Sequence, residues 1–278
     1  MNAAVLANGK VISAFEYQDV KHGHNIYCLD SYCKAPVIFV PAQGSVAPHF
    51  KTSGKGKSKH TDNCGLSKKL SFVETIEKCE QYQNDLLAKD MQQIVIKMNL
   101  NRIDPDFEAK VVEREQQNKP PQAIKVKNDS SLTPSSISSL KSVVKLIKDH
   151  QPDVLASIII HVKGNKIPLS QLIIKPARTH ELLWENKSLE KTPYFVYGTI
   201  SNFIKREKVY YLNFEEGKNF SLVVFEKYFP HFTYTENQLL GHKVIAYGFL
   251  RKNKYNEKKS TEMIIKSSKY IEHLPIVT

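Results

Sequence analysis

The sequence predicts an α+β, multi-domain protein with a small β module first, a helical and small α/β connector next, and a five-stranded β-barrel last. Three observations predict this. Three of the four cysteines fall within residues 28–64. Apolar residues recur at steps of three and four through Phe72, Ile76, Cys79, Tyr82, Leu86 and Leu87. Short alternating runs, parted by turn residues, fill residues 192–278. These shifts divide the chain at 1–70, 71–118, 119–135, 136–191 and 192–278.

Composition narrows the function. The chain has 278 residues, 40 Lys+Arg against 28 Asp+Glu, and a net charge of +12. The excess sits at the ends, with 9 cations against 4 acids in residues 1–69 and 13 against 8 in residues 193–278. Such an excess points to an anionic partner, and nucleic acid is the commonest one. No apolar run approaches the roughly 20 residues of a membrane span, so no membrane partner is expected. Residues 1–9 lack the basic start and long apolar stretch of a signal peptide. Four cysteines are too few for a disulfide scaffold, which makes a cytoplasmic location the expectation.

In the first segment, Asn8-Gly9 stands between the apolar runs Ala4-Val5-Leu6 and Val11-Ile12, a strong hairpin signal. Val37-Ile38-Phe39-Val40 reads as a strand, and residues 51–59 as a basic, glycine-containing loop. Cys28 and Cys33 flank one tight turn, while His60 and Cys64 flank another. Two such pairs are what a tetrahedral zinc ion requires. His49 makes five candidates for four places: Cys28, Cys33 and Cys64 are three ligands, and His60 or His49 completes the set. No general base stands nearby, so the zinc is read as structural.

The second segment, 71–118, reads as helical. Residues 119–135 carry Pro120-Pro121 and a Ser/Thr/Asn-rich run, which reads as a linker. In 136–191, Ile137, Leu140, Val144 and Ile147 line one face of a helix over 136–150. A strand follows over 154–162, and the only tryptophan, Trp184, comes later. The last segment shows strands at 194–201, 208–214, 220–225, 243–250 and 262–266. Alternation places Tyr210, Leu212 and Phe214 inward and Tyr211 outward.

Two resemblances follow from these residues. Asn8-Gly9-Lys10-Val11-Ile12, Tyr27-Cys28, Cys33, the 37–40 strand, Pro48-His49-Phe50, His60 and Cys64 resemble the N-terminal zinc-binding module of the competence protein CoiA family. The wider cysteine spacing and the Lys/Gly loop before His60 depart from that pattern. Val196-Tyr197-Gly198-Thr199-Ile200, the two following strands and residues 240–250 (Leu-Gly-His-Lys-Val-Ile-Ala-Tyr-Gly-Phe-Leu) resemble a nucleic-acid-binding OB-fold. The OB resemblance implies a ligand on strands two and three and on two flanking loops. The residues there are Lys205, Arg206, Lys208 and Tyr211, and then Arg251, Lys252, Lys254, Tyr255, Lys258 and Lys259.

The expectation is therefore a non-enzymatic nucleic-acid-binding protein, with single-stranded DNA favoured. The CoiA-like residues imply a bacterial setting of DNA processing, mobile elements or phage. They also imply a magnesium nuclease after the module, which is the alternative reading. Such a site needs an acid near a strand start and a Glu/Asp-x-Lys on the next strand. Asp106 with Glu108 and Lys110 has the letters in a stretch read as helical. Asp153 precedes a strand with His161, not a carboxylate, at the matching place. Neither supplies the full set, and no catalytic residue is assigned. A protein-interaction adaptor, binding through the barrel or connector, is the other alternative.

Overall fold

Asn8-Gly9 turns the chain between β1 (Ala3–Leu6) and β2 (Val11–Ser13), which pair antiparallel. The computed structural model describes residues 1–87, 93–108, 133–189, 191–255 and 258–275. A one-turn helix α1 (Asp19–His22) leads to β3 (Ile26–Cys28), which pairs with the other edge of β1. A separate hairpin joins β4 (Ile38–Val40) and β5 (His49–Lys51). Met1 ties the two sheets together. Its ammonium donates to the Phe50 carbonyl at 3.1 Å, and the Phe50 amide donates to the Met1 carbonyl at 2.9 Å.

The middle of the chain runs α2 (Phe72–Leu87), β6 (Ile94–Met98), β7 (Ser136–Ile137), α3 (Leu140–Asp149), α4 (Pro152–Ala156), β8 (Ile158–Val162), β9 (Asn165–Pro168), α5 (Leu169–Leu172), β10 (Ile173–Ile174) and α6 (Pro176–Trp184). Helix α2 buries Ile76, Cys79, Tyr82 and Leu86 and packs on α3, α4 and α5. The sheet order is β7-β6-β8-β9, with β6 parallel to both neighbours.

Three sequence expectations change here. The helical segment predicted to reach 118 gives way to a strand, because Ile94-Val95-Ile96 is a β-branched run that fits the pleated surface beside β8. The helix predicted from 136 starts at Leu140: Ser136–Ile137 pairs with β6, and the Ser139 side chain caps the helix by accepting from the Ser142 amide. The strand predicted from 154 starts at Ile158, because Pro152 suits the first turn of α4. Residues 109–118, and 119–132 of the predicted linker, lie outside the described residues.

Asp153 is buried, and its carboxylate works on backbone. One oxygen accepts from the Asn2 and Ala3 amides, and the other from Val154. The carboxylate thus pins β1 to α4 across 150 residues of sequence. Asp153→Ala leaves buried amides without an acceptor, so urea denaturation is expected to show a loss of about 3 kcal/mol. A loss below ~1 kcal/mol would contradict this anchoring role.

The C-terminal sheet contains β11 (Tyr194–Arg206), β12 (Val209–Phe214), β13 (Phe220–Phe225), the short helix α7 (Glu236–Leu239), β14 (Lys243–Gly248), β15 (Leu250–Tyr255), β16 (Lys258–Ile264) and β17 (Ile271–His273). Its order is β15-β16-β13-β12-β11-β14-β17, with β10 also beside β11. The long β11 pairs β14 through its first half and β12 through its second, with a register shift between Ile200 and Asn202. β13 and β16 run parallel. Phe249 alone separates β14 from β15. At Gly248 a Cβ would stand 2.7 Å from Met263 Cγ, so glycine lets the strand pass close over this buried side chain.

Three strands go beyond the sequence expectation: β10, β15 and β17. The correction at β15 matters most. Residues 251–255 and 258–259, expected in a loop, lie in β15 and β16, which pair from Leu250↔Met263 to Tyr255↔Lys258; 256 and 257 lie outside the described residues. Arg-Lys-Asn-Lys has little strand propensity, and the ladder to β16 orders it. Leu212 and Phe214 are buried, Tyr210 is half-buried against Phe229, and Tyr211 lies on the opposite face. Among the described residues no helix is long and apolar enough to cross a membrane.

Candidate metal centre and nucleic-acid interface

Two turns build the metal centre. After β3, the Asp30 carbonyl accepts from the amides of Cys33 (3.0 Å) and Lys34 (3.2 Å), which folds Cys33 back toward Cys28. Further on, the Thr61 carbonyl accepts from the Cys64 amide at 3.0 Å, which brings Cys64 back to His60. The result is one cluster of Cys28, Cys33, His60 and Cys64, with all four ligand atoms within 4.8 Å of one another. Cys28 Sγ and Cys64 Sγ are 3.7 Å apart, and His60 Nδ1 is 3.4 Å from both Cys33 Sγ and Cys64 Sγ. A tetrahedral zinc ion sets its sulfurs about 3.7 Å apart and sulfur from nitrogen about 3.5 Å. The observed edges fit, and the set is able to hold a metal ion such as zinc.

His49 is not in this cluster. It lies on β5 opposite Val40, with Nδ1 3.1 Å from the Ala47 carbonyl oxygen. The fourth cysteine, Cys79, is a core residue of α2, and burial pushes its thiol up to about 12.

Cys28 and Cys64 are buried, with their sulfurs in hydrogen-bond contact. The hydrogen bond from Cys28 holds the Cys64 thiol down to about 6, and the Leu66 amide and His60 add to this. The same bond, with burial, pushes Cys28 up. Metal uptake takes thiolates, so it releases the shared proton.

Behind the ligands stands Asp30, fully buried. One oxygen accepts from the Tyr82 hydroxyl (2.7 Å), the Lys78 ammonium (2.9 Å) and the Gly65 amide (3.2 Å), and the other from the Tyr32 amide. Burial alone would raise its pKa, but these donors outweigh it and hold the carboxylate below its ordinary range. Asp30 thus joins both ligand turns to α2. The sequence reading missed it, although Asp-x-x-Cys inside a ligand turn was a visible cue.

The expected nucleic-acid residues separate by strand face. Lys205, Arg206 and Lys208 surround the β11–β12 turn. Arg206 lies over the Tyr211 ring at 5.7 Å, and Lys205 over Phe203 at 4.9 Å. On the β15–β16 hairpin, Arg251 lies over Phe225 at 5.5 Å and pairs with Glu262 at 2.6 Å. Lys252, Lys254 and Lys259 go to the other face, around Trp184. Lys258 is exposed, opposite Tyr255 in the ladder; the Tyr255 side chain lies outside the described residues. Phe225 and Trp184, the rings under these cations, were not among the expected residues. Alternation alone leaves the face of Phe225 open, because both faces of β13 carry apolar residues, and Trp184 needs the fold.

Of the acids of the alternative reading, Asp153 and Asp106 are engaged elsewhere, and the exposed Glu108 is not gathered with either into a metal-ligating group. Asp106 accepts from the Tyr228 hydroxyl and lies 3.0 Å from Lys266, contacts that hold it down to about 2. Lys110 lies outside the described residues. Among the described residues, the Cys3His set is the one group of metal-ligating side chains brought together.

No protein-family model matches the chain, and no curated protein matches it.

Proposed function

We propose that this is a non-enzymatic protein that binds single-stranded DNA on the outer face of an OB-like barrel, with an N-terminal module closed by structural zinc. One observation carries the reading. Tyr211 and Phe225 are half-buried diagonal neighbours on the face of β12 and β13 opposite Leu212 and Leu222, and each has a guanidinium over its ring. Rings at this spacing suit the stacking of successive bases, and the cations suit the phosphates between them. Strand order supports the barrel. β11, β12, β13 and β16 follow in sequence, the parallel β13–β16 pair included, and the chain from β14 beside β11 runs through Phe249 into β15 beside β16. The zinc reading rests on the tetrahedral edges and on four protein ligands, which leave no open position. The CoiA-like residues 1–70 add the DNA-processing setting.

Fluorescence anisotropy with labelled oligothymidylate, at low and moderate salt and with magnesium present, tests this. Expected is binding whose log K falls linearly with log salt, by ~0.7 per phosphate contact, with the DNA left intact. Tyr211→Ala is expected to weaken it about 5- to 150-fold, and Phe225→Ala similarly. Absence of binding at low salt would overturn the proposal in favour of a protein partner. Cleaved product would overturn the non-enzymatic part.

A further inference from the structure

The β15–β16 hairpin has a second face. Lys252 and Lys254 on β15 and Lys259 on β16 place their ammonium groups 5.3, 5.7 and 5.4 Å from the centroid of the Trp184 ring. All three lysines are exposed and the indole is half-buried. Among the described residues no carboxylate pairs with any of the three; Lys252 donates to the Asn186 side-chain oxygen at 3.0 Å. Lys254 and Lys259 stand directly opposite each other in the ladder, an unfavourable like-charge pair.

The ring itself is held. Its Nε1–H donates to the Thr261 hydroxyl at 3.2 Å, and His180 Nδ1 shares a hydrogen bond with the same oxygen. The nitrogen edge is thereby turned to the buried side. Lysine stems lying over an indole bury apolar surface, but that packing does not require three ammonium groups at one ring. An anion turns the repulsion into attraction, and a planar anion also uses the ring.

We infer that Trp184 with Lys252, Lys254 and Lys259 is a second contact for the same DNA strand. One base stacks on the indole and its phosphates lie against the three ammonium groups. This rests on the single-strand reading and extends it. The Tyr211–Phe225 face and the Trp184 side lie on opposite faces of the sheet whose edge strand is β15, so a strand that reaches both wraps that edge.

Trp184 is the only tryptophan in the chain, so its emission reports this site alone. Oligothymidylate of about 16 nucleotides, long enough for one OB fold, is titrated into the full-length protein, reading tryptophan emission and label anisotropy together. Expected is quenching with the same midpoint as the anisotropy change. The triple variant Lys252→Ala/Lys254→Ala/Lys259→Ala is expected to lose most of the quenching and about two units of the salt slope. Circular dichroism checks that this surface variant is folded. Anisotropy binding with unchanged emission overturns the inference and leaves the single-strand reading standing. Equal quenching and an equal salt slope in the triple variant also overturn it. No anisotropy change at low salt overturns both.

Discussion

Cys64→Ser is expected to unfold residues 1–70. A structural zinc contributes apparent free energies of about 10–16 kcal/mol at neutral pH, as much as the whole stability of an ordinary domain. The module has few means to compensate. Its strands are three or four residues long and lie in two small sheets, and Cys28 and Cys64 are themselves part of its core. Elemental analysis of the wild-type protein is expected to show one zinc per chain, and the variant little or none. Limited proteolysis should then cut the variant, or the chelator-treated wild type, within the first seventy residues. Acid should release the metal, because protons compete for the thiolates. A metal-free wild type with unchanged protease resistance would rule out the structural-zinc reading.

Asp30→Ala is expected to cost about 3–5 kcal/mol, the range for removing one partner of a buried ion pair. The lower end applies, because Lys78 keeps 22% of its side chain exposed and can be rehydrated. The change also leaves the Tyr82 hydroxyl and the Gly65 amide without their acceptor. Asp30 carries a sign with pH. Its folded pKa lies below the ordinary value of 3.8, so its stabilisation is fully present above pH 3.8 and is lost as pH falls through the lower folded value. Urea midpoints of wild type and Asp30→Asn should therefore differ most near neutrality and converge in strong acid. Equal midpoints at neutral pH would mean that Asp30 does not join the ligand turns to α2. Equal zinc content in Asp30→Asn would separate its packing role from metal binding.

Much of this was legible in the sequence because the information was local. Asn8-Gly9 sets its hairpin by backbone preference alone. The apolar face of α2 is written in steps of three and four. The cysteine and histidine pairs mark their own turns. The β12 alternation separates Tyr211 from Leu212 and Phe214. Where the reading failed, local signals competed with distant partners. Ile94–Met98 continued a plausible helix until β8 was there to pair with it. The basic run 251–255 lacked strand formers and became a strand because β16 lies beside it.

The sequence by itself determined which side chains carry chemistry: three cysteines and two histidines near them, a basic excess at both ends, and aromatic strands at the C-terminus. Tertiary structure decided which of them meet. It chose His60 over His49, set Asp153 and Asp106 to holding segments together, and gathered three hairpin lysines around Trp184 from a helix almost seventy residues earlier. The physical reason is range. Turn, period and spacing act over a few residues of chain, whereas a ligand set or a stacking platform needs atoms a few ångströms apart that only the packing of whole elements brings together.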